Sequence, residues 1–174
     1  MYYALMIDSN GNGIGSHAYV EQPSSYPSNE IPCTEAQAKT PMAYQVVNGQ
    51  IVESLAYAKT SQIALLQSAF QKAEQAPVSV TLASGVTTSF GMTPHDWTKI
   101  VGLYSKYVVK GDPIPSNYPL PDVNMVLRTV TKTDIDNLFE AGKSQIDNAV
   151  SKLASLLESV NMATTVEAVK SITW

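Results

Sequence analysis

The sequence predicts an α+β fold: β-hairpins first, then a helix, a further hairpin and a C-terminal helical part built on one long amphipathic helix. Three observations predict it. Asn-Gly or Ser-Gly pairs stand between short apolar runs within Asp8–Gly13 and at Asn48-Gly49 and Ser84-Gly85, the pattern of hairpin turns. From about Lys59 the apolar period changes from two to three and four. The run from Lys132 to Met162 then holds that helical period without a proline. These changes divide the chain into a β-rich domain, residues 1–58, and an α+β domain, residues 59–174.

The first element is "MYYALMI", aromatic and aliphatic, which reads as a short buried strand. It pairs with "IGSHAYV" across "DSNGNG", where Asn-Gly tolerates the positive φ of a type I′ turn. Asp8, Asn10, Asn12 and Gly13 also match the first half of an EF-hand loop. That reading fails at the twelfth position, where Tyr19 stands in place of the bidentate Glu that closes a Ca²⁺ cage. Gly11, Gly13 and Gly15 miss the G-x-G-x-x-G spacing, and no helix follows them to face a phosphate.

A proline-broken stretch follows. Pro23, Pro27 and Pro32 force extended or turn geometry, and Thr34 with Gln37 has the spacing of a capping box for one helical turn ended by Pro41. "AYQVVNGQIVESLAY" reads as the second hairpin. In "TSQIALLQSAFQKAEQA", Ile63, Leu66, Phe70 and Ala73 mark an amphipathic helix that stops before Pro77. A third hairpin places Val78, Val80 and Leu82 on one face. Thr93, Pro94 and Asp96 open the next helix as N-cap, first residue and third residue, and Gly111 closes it. "DPIPSNYPLPD", Asp112 to Asp122, is a stiff proline-rich strap, and "VNMVLRTV" a strand leading into the long helix.

That helix covers about residues 132–162, behind Thr131 with Asp134. Phe139, Gly142, Ile146, Ala149, Leu153, Leu156 and Val160 are spaced 3, 4, 3, 4, 3, 4, a heptad seam that Ile135, Leu138, Val150 and Leu157 widen. A stripe that broad suits packing on a globular core, with Leu153 buried; homo-oligomerisation along the same helix is the alternative use. Gly142 and Ala149 let a neighbouring backbone come close. The last helix, "TTVEAVKSI", has Thr164 and Glu167 in capping-box relation.

Composition narrows the function. The net charge of −4, without a Lys/Arg cluster, argues against a nucleic-acid surface. No run approaches a membrane span, and the N-terminus does not read as a signal peptide, so neither membrane nor secretory export is expected. With 15% charged residues, outnumbered by Ser and Thr, the surface is neutral and hydroxyl-rich, which suits packing into an assembly. Cys33 is the one cysteine, so no intrachain disulfide exists, and beside Pro32 it reads as a small apolar residue rather than a nucleophile. His17 sits in a turn-like context and His95 in a cap; His95 and its neighbour Asp96 point about 100° apart on a helix, unlike a catalytic pair. No catalytic, cofactor-binding or metal-binding residue is expected.

Two stretches resemble known proteins. "YPSNEIPCTEAQAKTPMAYQVVNGQIVE" resembles the start of phage tail-fibre assembly proteins, in which P-x-x-x-I-x-x-T leads into a hairpin V-x-x-G-x-I-V. "VSVTLASGVTTSFGMTPHDWTKI" and the ending "TTVEAVKSITW" are similar to a domain of unknown function common in phage tail proteins. The tryptophan usual after the proline-rich loop is absent, with "VNMVLRTV" in its place. The resemblance implies a non-enzymatic folding helper acting on the C-terminal region of a tail fibre, in the host cytoplasm during assembly or retained in the virion tail. A structural subunit of the tail or baseplate is the alternative. A polysaccharide hydrolase would need paired carboxylates in a groove, which the sequence does not offer.

Overall fold

The order of elements follows the predicted α+β plan, and the computed structural model describes every residue, Met1–Trp174. Strands β1 (Tyr2–Ile7), β2 (Gly13–Tyr19) and β3 (Glu30–Cys33) form an antiparallel sheet in the order β2-β1-β3. Ala4 and Leu5, adjacent on β1, are both fully buried, so both faces of the central strand are covered. β3 lies inside the stretch read as merely proline-broken. Pro32 is tolerated because β3 is an edge strand and needs no donor on its outer side.

Four hairpin turns use two designs. Between β4 (Tyr44–Val47) and β5 (Gln50–Glu53), Asn48 and Gly49 have φ of 52° and 77°, the two-residue type I′ turn. The first turn differs from that expectation: it spans Asp8–Asn12, with only Gly11 at positive φ. There Gly11 N–H donates to Asp8 O at 3.0 Å, and Asp8 N–H to Asn12 O at 2.9 Å. The turn between β6 (Val78–Thr81) and β7 (Thr87–Phe90) repeats this, with Gly85 N–H on Leu82 O and Leu82 N–H on Val86 O. The fourth corrects the sequence reading. "VNM" is a turn, not the start of a strand, joining β8 (Pro119–Pro121) to β9 (Leu127–Thr129), with Met125 N–H on Asp122 O and Asp122 N–H on Val126 O. The end of the proline-rich strap is therefore strand.

The helices start where a side chain caps them. Thr34 and Gln37 form the expected capping box of α1 (Glu35–Lys39), followed by a 3-10 turn at Pro41–Ala43. Helix α2 runs Leu55–Glu74, so "LAY" belongs to it rather than to the hairpin, and Ser54 precedes it with Oγ accepting the Tyr57 N–H. α3 (Pro94–Leu103) has the expected Thr93/Asp96 box, and continues as a π-helical segment, Tyr104–Val109, in which Lys110 N–H reaches Ser105 O. Gly111, at φ 77°, follows its end as expected. α4 covers Lys132–Met162. α5 (Val166–Ser171) is capped by Thr165, whose side chain accepts the Ala168 N–H, not by Thr164.

Contacts divide the chain into two units. The first holds Met1–Leu66 and Leu156–Thr173; the second holds Gln67–Ser155 and Trp174. In the first, Leu5, Leu66, Val160 and Val169 are the largest fully buried side chains. Gln62 Nε2 donates to Ile172 O at 2.6 Å, and Lys59 Nζ to Asn161 O at 2.7 Å. In the second, Val78, Val80 and Leu82 pack with Phe90, Met92, Ile100, Leu103, Ile135 and Leu138. Phe139 stacks between Trp97 and Tyr104, with centroids at 5.4 and 3.8 Å. What approaches Gly142 is side chain rather than backbone: Met92 and Trp97 lie over it. Leu153 is half-buried rather than buried, and Val150 is exposed, so the predicted stripe is only partly covered.

Candidate functional site

The residues with chemical potential serve turns and caps. Asp8 Oδ1 accepts the N–H groups of Asn10 and Asn12 at 2.9 and 2.8 Å, and Oδ2 accepts the Asn12 side-chain amide at 2.9 Å. These donors, the Asn12 amide foremost, hold its carboxyl below the usual range. His95 is exposed on α3, while Asp96 accepts from Thr93 N–H and Oγ1. Cys33 is a free, half-buried thiol whose pKa burial pushes up, away from the reactive thiolate. No three His, Cys, Asp or Glu side chains converge as a metal site requires, and no helix is long and apolar enough to cross a membrane.

His17 is not in a turn. It lies on β2, where its Nδ1 is 2.6 Å from Oε1 of buried Glu30, and the Tyr19 hydroxyl donates to Glu30 Oε2. That bond raises the Tyr19 pKa, since ionising the phenol would break it. The Glu30 carboxylate thus clamps edge strand β3 to edge strand β2 across β1. Sequence reasoning missed it because Glu30 was embedded among prolines.

β2 itself has the more consequential backbone. It is the longest strand, of seven residues, and it pairs only with β1 apart from a bridge between Asn12 and Gln45 at its start. Pro41 and Tyr44 lie against its start at Gly13, and Ser16 Oγ donates to Ala38 O, so the strand lacks a neighbour only towards its end, where His17 and Ala18 are exposed.

The β8–β9 hairpin carries an apolar tip. Val123, Met125, Val126 and Leu127 are all exposed, Met125 at 80% and Leu127 at 68%. The tip is held from beneath by Asp122, whose side chain is wholly buried. Asp122 Oδ1 accepts Asn124 N–H and Val126 N–H at 2.9 and 3.0 Å; Oδ2 accepts Thr88 Oγ1 and Arg128 Nε, each at 2.9 Å. Burial works against the charge, but these donors outweigh it and bring the pKa down to about 2. Val123 N–H adds a bond to Ser89 O at 3.0 Å. Met125 has φ of 61°, a left-handed conformation that the three other turns give to Gly and, in one of them, also to Asn48. A residue with a Cβ at that place is strained, and strain of this kind concentrates at functional loops.

In the first unit, an apolar cleft of about 350 Å³ opens between the β4–β5 hairpin and α2. Ala43, Tyr44, Tyr57, Ala58 and Leu65 line it, and the Lys170–Glu53 ion pair, at 2.5 Å, stands at its side. Leu65 leaves the apolar stripe of α2 and is 64% exposed there. Every buried side-chain nitrogen and oxygen in the molecule has a partner, so none is left aimed at a missing ligand. No family model, curated protein or solved structure matches the chain.

Proposed function

We propose that the chain is a bacteriophage tail-fibre assembly protein, a non-enzymatic folding helper that lends a sheet edge to its fibre. The observation that carries this reading is the end of β2, His17–Tyr19, which pairs with β1 alone. Trimeric fibres are built from long β-rich chains whose edges aggregate before they pair. An edge such as β2 covers them by strand addition, with main-chain hydrogen bonds for affinity and alternate side-chain pockets for register. The resemblance of the Tyr26–Glu53 stretch to such proteins points the same way. The partner is the C-terminal region of the fibre, met in the host cytoplasm.

Co-expression tests it. The cognate fibre's C-terminal region should move from the pellet to the soluble fraction. Ala18→Lys, an edge charge at an exposed β2 position, should abolish that effect while leaving the helper's own melting unchanged. Replacing Asp112–Asp122 by a Gly/Ser linker should weaken it, because a flexible strap loses more entropy on binding. A fibre equally soluble and trimeric without the helper would refute the reading. One observation favours a second role, as a structural subunit of the tail: the exposed apolar tip Val123–Leu127, which suits a lasting assembly better than a transient encounter. Stoichiometric presence in purified particles would decide for it.

A further inference from the structure

We propose that Asn48 is a site of self-modification, losing its side-chain amide to attack by the Gly49 nitrogen and becoming aspartate or isoaspartate at the tip of the β4–β5 hairpin. The proposal stands apart from the helper reading, since it uses neither the end of β2 nor a fibre.

The chain holds three Asn-Gly pairs, Asn10-Gly11, Asn12-Gly13 and Asn48-Gly49. In each, glycine leaves the backbone nitrogen unshielded and its peptide free to rotate. Their chemistry is the same, so the fold must separate them. Attack requires the peptide between the two residues to turn its nitrogen toward the Asn carboxamide. A hydrogen bond on that peptide resists the turning.

Two of the three peptides are pinned. The Gly11 N–H donates to Asp8 O at 3.0 Å, and a Cβ built on Gly11 stands 2.7 Å from Val46 O. The Asn12 carbonyl accepts the Asp8 N–H at 2.9 Å, and the Asn12 carboxamide is held by Asp8 Oδ2 at 2.9 Å. Gly13 is buried against Pro41 O. The Asn48–Gly49 peptide has no such hold. Both residues are exposed, neither the Asn48 carbonyl nor the Gly49 N–H makes a hydrogen bond, and nothing stands within 4 Å of a Cβ built on Gly49.

The turn type supplies the motion. Type I′ and type II′ turns both close a two-residue hairpin. They differ by a flip of the central peptide, which takes ψ of the first central residue from about 30° to about −120°. In the type I′ turn observed, Asn48 Cβ lies nearly opposite the Gly49 nitrogen. The flip brings the two to the same side, while Val47 and Gln50 stay paired. Glycine is preferred at the first position of a type II′ turn, so for Asn48 the flipped form is a minor state, visited rather than held.

The reaction balances with water alone. Water or hydroxide takes the Gly49 N–H proton, the nitrogen bonds to Asn48 Cγ, and the Cγ–Nδ2 bond breaks as ammonia leaves with a proton. Water then opens the resulting succinimide at either carbonyl, giving aspartate or isoaspartate. Both products add one negative charge to a chain of net charge −4. Asp-Gly also suits a type I′ turn, so the aspartate form keeps the hairpin. Isoaspartate lengthens the loop backbone by one atom. That loosens the hairpin and with it the Val46 N–H bond to Gly11 O, 2.8 Å long, which ties it to the first turn.

Ageing the purified full chain in mildly alkaline buffer tests this. Trypsin, cutting after Lys39 and Lys59, isolates Asn48 as the one asparagine of residues 40–59, with Asn10 and Asn12 in residues 1–39. Mass spectrometry with electron-transfer fragmentation places each conversion and separates isoaspartate from aspartate. In the folded chain Asn48 should convert at least about fivefold faster than Asn10 or Asn12, the worth of one hydrogen bond to be broken. In concentrated urea the three rates should converge. Asn48→Gly, which keeps a positive-φ turn, should remove the fast conversion; if its melt shows misfolding, Asn48→Asp takes its place. The proposal is overturned if Asn10 or Asn12 converts as fast as Asn48 in the folded chain. It is equally overturned if Asn48 converts only in urea, or if its lead over the other two is as large in urea as in the folded chain.

Discussion

Gly142→Ala should destabilise the protein, although the same change in an ordinary helix interior stabilises. Gly142 lies within α4, where alanine is favoured over glycine by about 0.8–1 kcal/mol. A Cβ built there, however, meets Met92 Cε at 2.5 Å and the Trp97 ring at 2.7 Å. The methionine end can rotate away. The indole cannot, because it stacks on Phe139, which stacks in turn on Tyr104. Restoring a contact of about 3.5 Å requires moving that stack by most of an ångström, a disturbance costing about 2–3 kcal/mol. The net expectation is a loss of about 1–2 kcal/mol, or a fall in Tm of roughly 3–6 °C. Gly102, exposed on α3 with nothing within 4 Å of a built Cβ, is the internal control. Gly102→Ala should gain about 0.8–1 kcal/mol. Urea denaturation of the two variants beside wild type gives both values. If both stabilise equally, the packing argument for Gly142 is wrong.

Asp122 titrates well below the ordinary carboxylate value of 3.8, at about 2. Its contribution is therefore present above about pH 4 and lost as pH falls toward 2. Asp122→Asn should be less stable at neutral pH and show a shallower acid loss over that window in thermal melts. Leu138 is fully buried in the second unit, so Leu138→Ala should cost about 2–5 kcal/mol, whereas half-buried Leu153→Ala should cost clearly less, about 1–2 kcal/mol, by the same denaturation assay. Met125→Gly should relieve left-handed strain and gain up to about 1 kcal/mol, read as a higher midpoint in urea; a loss would mean that the turn is not strained.

Local chemistry made most of the fold legible. Capping boxes at Thr34 and Thr93, Pro94 at a first helical position, and the Asn48-Gly49 turn each act within a few residues, so the sequence alone contains their cause. The errors arose where the cause is distant. "VNM" looked like strand because Met at a left-handed position violates the rule that finds turns. Only Thr88 and Arg128, converging on Asp122 with the turn's own N–H groups, explain why the chain folds back there. Asp134 is similar. Its spacing from Thr131 announces a cap, but its second oxygen accepts the Ala83 N–H at 2.7 Å and ties the β6–β7 turn to the start of α4.

The same distinction explains why the edge of β2 and the cleft were harder to read than the elements bearing them. An open edge is a property of what does not lie beside β2, and period-two alternation says nothing about neighbours. The cleft needs Tyr44 from one hairpin and Tyr57 and Leu65 from a helix, and Leu65 had looked only like an off-stripe leucine. One signal was present. Among the αL positions of the hairpin turns, Gly11, Asn48, Gly49, Gly85 and Met125, one alone carries an apolar side chain. In a protein whose other turns take residues that tolerate the conformation, a methionine there marks a turn whose shape is set from beneath, by Asp122. An apolar residue at a left-handed turn position is thus legible only once a strand on each side shows that the turn exists.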